Sequence, residues 1–148
     1  MSATNPDIQV FNQTELTIPL DEDQFLPLAA QIADNEASSF SFVEVVYVDE
    51  DEIVRINKEH LERDYVTDII TFRYDDADNK QDIEGTMFCC APRIVEQAKE
   101  FEQSTSQEFL RIYIHGLLHL IGYEDTSEEL KKQMTAKENT YLRLIEQQ

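Results

Sequence analysis

His115 and His119 stand four residues apart, and Asp125 follows, in the segment His115-Gly-Leu-Leu-His119-Leu-Ile-Gly122-Tyr-Glu-Asp125. On a helix, a separation of four puts two side chains on one face, one turn apart. The flanking residues, among them Phe109, Ile112, Leu117, Leu118 and Ile121, are apolar nearly all round, as in a buried helix. Imidazoles inside such a helix need partners, because an unsatisfied buried polar group costs about 1–3 kcal/mol. One divalent metal satisfies both. Gly122 can take the left-handed conformation that ends a helix, so the chain can turn back and present Asp125. Two nitrogens and one carboxylate, with a fourth position left to water, form a catalytic type of zinc site. Structural sites are usually closed by four protein ligands.

Taken singly, each part has a plainer explanation. A bare histidine pair at this spacing is more often a packed or surface pair, and a glycine there is more often a simple helix stop. Asp125 could merely precede the last helix, where Thr126 and Glu129 have capping-box spacing. Glu124 is a rival third ligand, but its spacing is off by one. Together, the buried helix, the glycine stop and the acid favour metal. The spacing H-x3-H-x2-G-x2-D shares the framework of the metzincin motif, with Asp as third ligand. In a zincin protease, however, the residue after the first histidine is the Glu that activates water, and here it is Gly116. Peptide hydrolysis by that route is not expected, and another metal-assisted hydrolysis is preferred. A carboxylate ligand lowers the site's charge by one relative to three histidines. That predicts a weaker Lewis acid, and a more alkaline pH–rate profile than an Asp125→His variant would show.

The elements that must position these groups follow from pattern. The chain has 148 residues and 41% hydrophobic residues, enough for a core in a single domain over 1–148. Ile8 to Phe11 alternates weakly and suits an edge strand. Phe40 to Val48, Asp68 to Tyr74 and Ile83 to Cys90 read as further strands. Helices are expected at Asp21 to Glu36, Asp49 to Leu61, Pro92 to about Gln103, Ser106 to Ile121 and Ser127 to Glu146. Strands crowd the middle and helices the end, which predicts an α+β fold: a small mixed sheet of about four strands packed with about five helices. Cys89 and Cys90 are adjacent, would point to opposite faces of a strand, and read as reduced packing residues.

The formal charge is −19, and twelve acidic residues but no Lys or Arg precede Arg55. Such a field repels phosphate backbones and membrane surfaces, so neither DNA nor a membrane is an expected partner. The N-terminus lacks the basic and apolar blocks of a signal peptide, and a soluble, cytoplasmic protein is expected.

The segment from His115 to Asp125 resembles the H-G-x-L-H-L-x-G-Y-x-H signature of the YbeY endoribonucleases, also called ribosomal RNA maturation factors, with Asp125 in place of the last His. The likeness extends to Asn57, to Thr67-Asp68-Ile69-Ile70-Thr71-Phe72, and to Met134 and Glu138 in the final helix, covering roughly residues 50 to 145. The resemblance implies a zincin-like α+β fold and a metal-dependent hydrolase acting on single-stranded RNA. It further implies work in small-subunit ribosomal RNA 3′-end maturation and ribosome quality control. Its metal would be zinc, one ion per chain, with His115, His119 and Asp125 as ligands, and small-subunit ribosomal proteins are possible partners. The family's arginine position falls on Leu61, so Arg63 is a candidate substitute, with Arg73 and Arg111 as further candidate phosphate contacts; a pairing of Arg111 with Glu108 is the alternative. The family's Gly-Asp-Ile reads Gly85-Thr86-Met87, and its following serine reads Cys90. His60 is expected to be a packed aromatic replacement, Tyr113 a core residue, and Tyr123 a candidate for stacking on a base. The competing functions are a zincin-type metallopeptidase, opposed by Gly116, and a non-catalytic ribosome-assembly factor holding a structural metal.

Overall fold

Four valines and three aromatic residues in the run Phe40–Val48 form β2, which is buried along most of its length and lies inside the sheet. The structure, a computed structural model, describes residues 6–62, 64–75 and 79–146. Besides β2, it contains β1 (Asp7–Asn12), β3 (Ile69–Arg73) and β4 (Ile83–Cys90), in the order β1-β2-β4-β3. β1 and β4 run parallel to β2, whereas β3 is antiparallel to β4. Parallel neighbours need a crossover. α1 (Glu22–Asn35) carries the chain from β1 to β2, and α2 (Glu50–Leu61) leads from β2 towards β3 and β4. α3 (Ala91–Glu100), α4 (Thr105–Ile121) and α5 (Glu128–Glu146) follow, giving, among the described residues, the α+β architecture of four strands and five helices that the pattern predicts.

The two faces of the sheet bury different sets. Phe25, Ile32, Val43, Met87, Ile94 and Leu117 belong to the larger core, which joins α1, α3, α4 and α5 to one face. Val46, Val48, Ile53, Ile56, Ile70 and Cys90 form the smaller core, under α2 on the other. Cys89 and Cys90 are both buried and free, one in each core, as strand alternation requires. Among the described residues no helix is long and apolar enough to cross a membrane.

Helix ends fall within one residue of expectation except at the end of α3, and the start of α5 is capped by a different residue. α3 stops at Glu100 rather than near Gln103, because Glu102 adopts a left-handed φ of 54° and Gln103 N–H donates back to Ala98 O at 2.9 Å. The start of α5 is capped by Ser127, whose Oγ accepts from Leu130 N–H at 3.2 Å, and not by Thr126. α4 begins at a Ser104 cap, with Oγ accepting from Gln107 N–H at 3.1 Å, and ends at Gly122 with φ 129°. That backbone conformation is one that residues bearing a Cβ rarely adopt.

Candidate metal centre

α4 is buried on most sides, and Gly116 shows how closely it lies on the sheet. A Cβ there would sit 2.8 Å from Ile69 Cδ1 and 2.8 Å from Met87 Sδ. The position that holds the water-activating Glu in a zincin protease therefore faces the sheet here, and a side chain there would have to push Ile69 and Met87 aside.

The adjacent face of the same helix carries the histidines, His115 one residue before Gly116 and His119 three after it. Their rings are 4.5 Å apart between centroids and nearly perpendicular, at 82°. Asp125, beyond the Gly122 turn, places Oδ2 3.4 Å from His115 Nε2 and 3.5 Å from His119 Nε2. His115, His119 and Asp125 can hold a metal ion: one ligand atom from each lies within 4.8 Å of the others. The second nitrogen of each ring fits that use. His115 Nδ1 is 2.6 Å from Glu138 Oε2, and His119 Nδ1 is 2.9 Å from the Tyr123 carbonyl. Both partners are acceptors, so each Nδ1 carries the proton and each Nε2 turns a lone pair towards Asp125. This outer hydrogen bonding is how proteins fix the tautomer and orientation of metal-ligating imidazoles. The three side chains are 19–37% exposed, so the donor set is open on one side.

Charge is arranged around His115. Glu138 is buried and takes Arg111 Nη1–H on its other oxygen at 2.9 Å. Burial pushes the His115 imidazolium pKa down, but the hydrogen bond and charge of Glu138, with Asp68 and Asp125, outweigh it, and the net shift is upward. At His119, burial and then the neighbouring His115 lower the pKa. A cleft of about 510 Å³ opens beside His115, lined by Asp68, Gln97, Glu108, Arg111, Asp125 and Lys131 among others. Glu108 is almost fully buried, and burial raises its pKa against the opposing charge of Arg111.

The remaining candidate residues are placed as follows. Arg111 lines the cleft, but it pairs with Glu138 and with Asn139 Oδ1 (2.7 Å), not with Glu108. Arg73 makes two 2.9 Å contacts with the Asp75 carboxylate and donates to the Leu120 and Asn79 carbonyls, so it secures the end of α4. Arg63 lies outside the described residues. His60 packs edge-on against Phe72 on the α2 face, with ring centroids 5.2 Å apart, but it is more than half exposed. Tyr113 is a core residue whose hydroxyl donates to the Phe25 carbonyl at 2.7 Å. The Tyr123 hydroxyl is engaged by Glu36. Thr86 is also on the α2 face, where it donates to Glu44 Oε1 at 2.9 Å and accepts from Tyr74 Oη–H at 2.8 Å. Pattern reasoning overlooked Glu138 as the partner of His115. Its signal was an acid on the buried stripe of α5, between Met134 and Tyr141.

A mixed sheet backing a buried helix, with two imidazoles and a carboxylate converging at an open position, defines an α+β protein with a donor set that could hold one metal ion. The family is equally defined. The model of the family "Endoribonuclease YbeY" matches residues 9–146, and the chain belongs to that family. It is 37% identical over 135 residues to the Endoribonuclease YbeY of Chlorobium limicola, covering 91% of this chain and 90% of that protein. The Chlorobaculum tepidum protein of the same name is 35% identical, with 91% and 95% covered. The solution structure of TM1509 from Thermotoga maritima superposes with a TM-score of 0.60 at 27% identity, covering 91% of this chain and 86% of that one.

Proposed function

We propose that the chain, folded as one YbeY-like domain, is a metal-dependent endoribonuclease that hydrolyses phosphodiester bonds of single-stranded RNA. Its role would be small-subunit ribosomal RNA 3′-end maturation and ribosome quality control in the cytoplasm. The observation that carries this reading is the convergence of His115 Nε2, His119 Nε2 and Asp125 Oδ2, each imidazole held from behind, in a chain of this family. Zinc suits two nitrogens and one carboxylate with an open position.

A divalent ion held by these three residues supplies Lewis acidity to a phosphoryl oxygen and acidifies water. The chain's own groups do the rest. Glu138 keeps the His115 proton on Nδ1, and the Tyr123 carbonyl does the same for His119, so both ligand nitrogens stay available. Arg111 fixes the Glu138 carboxylate, has N–H donors to spare and lines the cleft, which makes it better placed than Arg73 to meet substrate. Lys131 brings a second cation to the cleft wall. Two cations in a chain of charge −19 favour weak, salt-sensitive RNA binding, with small-subunit ribosomal proteins as partners that supply the missing attraction.

The test is metal analysis of the purified protein, followed by cleavage of single-stranded RNA by wild type and His119→Ala. Wild type should carry one ion per chain, and the variant should lose cleavage while keeping its circular dichroism. Equal cleavage by both overturns the assignment. If His115→Ala melts the fold instead, the ion is structural. Casein turnover lost in His119→Ala would favour a peptidase, against the sheet-facing Gly116.

A further inference from the structure

Glu36 follows α1, far in sequence from the metal centre, yet its side chain is only 7% exposed. Its carboxylate accepts from three donors on two other segments: the hydroxyls of Tyr123 and Tyr141, and Lys137 Nζ at 3.0 Å. Lys137 Nζ also lies 5.6 Å from the centre of the Tyr123 ring. The carboxyl pKa is net lowered: burial raises it, but the three donors together outweigh burial.

What these donors are attached to matters more than their number. Tyr123 is the residue whose carbonyl takes the His119 Nδ1 proton, and two residues further along the chain is Asp125. Lys137 directly precedes Glu138, which takes the His115 Nδ1 proton. One outer hydrogen bond of the centre therefore comes from a residue that the buried Glu36 carboxylate holds, and the other from the residue next to Lys137 on α5, where Glu36 also anchors Tyr141. Tyr123 N–H closes the end of α4 on Leu118 O at 3.0 Å, and the tie from its hydroxyl to Glu36 is a second anchor at the head of the irregular segment that leads to Asp125. We propose that Glu36 is a positioning residue: by clamping Tyr123 and α5 together it orients both imidazoles and sets the affinity of the site for a divalent ion. This rests on the reading of His115, His119 and Asp125 as metal ligands.

The experiment measures zinc affinity by competition with a chromophoric chelator, alongside far-UV circular dichroism and Tm, for the full chain and four variants. Tyr123→Phe removes one hydroxyl, and Glu36→Ala removes the clamp. Both should bind zinc more weakly by up to about tenfold, the lower end of the cost of losing an outer-sphere partner outright, while keeping wild-type dichroism. Glu36→Gln keeps a carbonyl acceptor and should lose less than Glu36→Ala. Tyr141→Phe touches Glu36 but no ligand partner, and should lower Tm with zinc affinity unchanged. If Glu36→Ala does not fold, Tyr123→Phe decides. Wild-type zinc affinity in Tyr123→Phe and in folded Glu36→Ala, whatever their Tm, overturns the clamp. A wild type that binds no zinc overturns the metal reading itself, and the clamp with it.

Discussion

The two faces of the sheet use their histidines in opposite ways. On the α2 face His60 sits at helical spacing with Ile53 and Ile56, yet it only rests against Phe72 and faces solvent. Under α4, His115 and His119 have an acceptor behind each ring and a shared carboxylate in front. Polar side chains of the α2 face close on one another, as Tyr74, Thr86 and Glu44 do. Those around α4 leave two ring nitrogens and a carboxylate oxygen converging on one point. What separates a ligand from a packed imidazole is the outer hydrogen bond that commits one nitrogen and frees the other, not helical spacing alone.

Substitutions that treat the faces alike should give unlike results. The largest contrast is His119→Ala against His60→Ala. The first should lower RNA cleavage by at least about a thousandfold, roughly 4 kcal/mol of transition-state stabilisation. The second should leave the rate within error. Cleavage assays at fixed metal read both, and a comparable loss in His60→Ala would erase the distinction. Next, Ile56→Ala on the α2 side should cost about 2–5 kcal/mol in urea unfolding with no change in metal affinity. Gly116→Ala forces a Cβ against Ile69 and Met87, and should cost about 1–3 kcal/mol while also disturbing the ligands beside it.

A smaller effect depends on pH. Because the Glu36 carboxyl is lowered in the folded chain, its contribution is complete above the unfolded value of about 4.3 and is lost as pH falls through the folded value. Tm against pH should therefore lose part of its acid slope in Glu36→Gln. An identical slope would deny the clamp any charged character. Smallest of all, Arg55→Ala removes exposed pairs with Glu52 and Glu59 and should not move Tm measurably.

The parts readable from sequence are those set by local physics. β2 and β4 follow from apolar runs and match their expected ends, and the meeting of His115, His119 and Asp125 follows from a buried helix, a glycine stop and a returning acid. What escaped was non-local. Arg111 found Glu138, 27 residues away, instead of Glu108 one turn back. Glu36 meets Tyr123, Lys137 and Tyr141 across 87 to 105 residues, and no periodicity announces such a meeting. Arg73 looked available for phosphate because its partners, Asp75 beyond the strand and a carbonyl at the end of α4, are brought together only by the turn after β3 and by helix packing. Likewise α3 ended early through the left-handed residue Glu102, which side-chain spacing does not encode.

One titration addresses the heart of the matter: zinc binding to metal-stripped wild type and to Asp125→Ala. Wild type should bind one equivalent per chain, and the variant should bind at least about tenfold more weakly with its fold unchanged. Equal affinity in the two proteins, or no binding by either, would mean that the two imidazoles and the carboxylate meet for some purpose other than holding a metal.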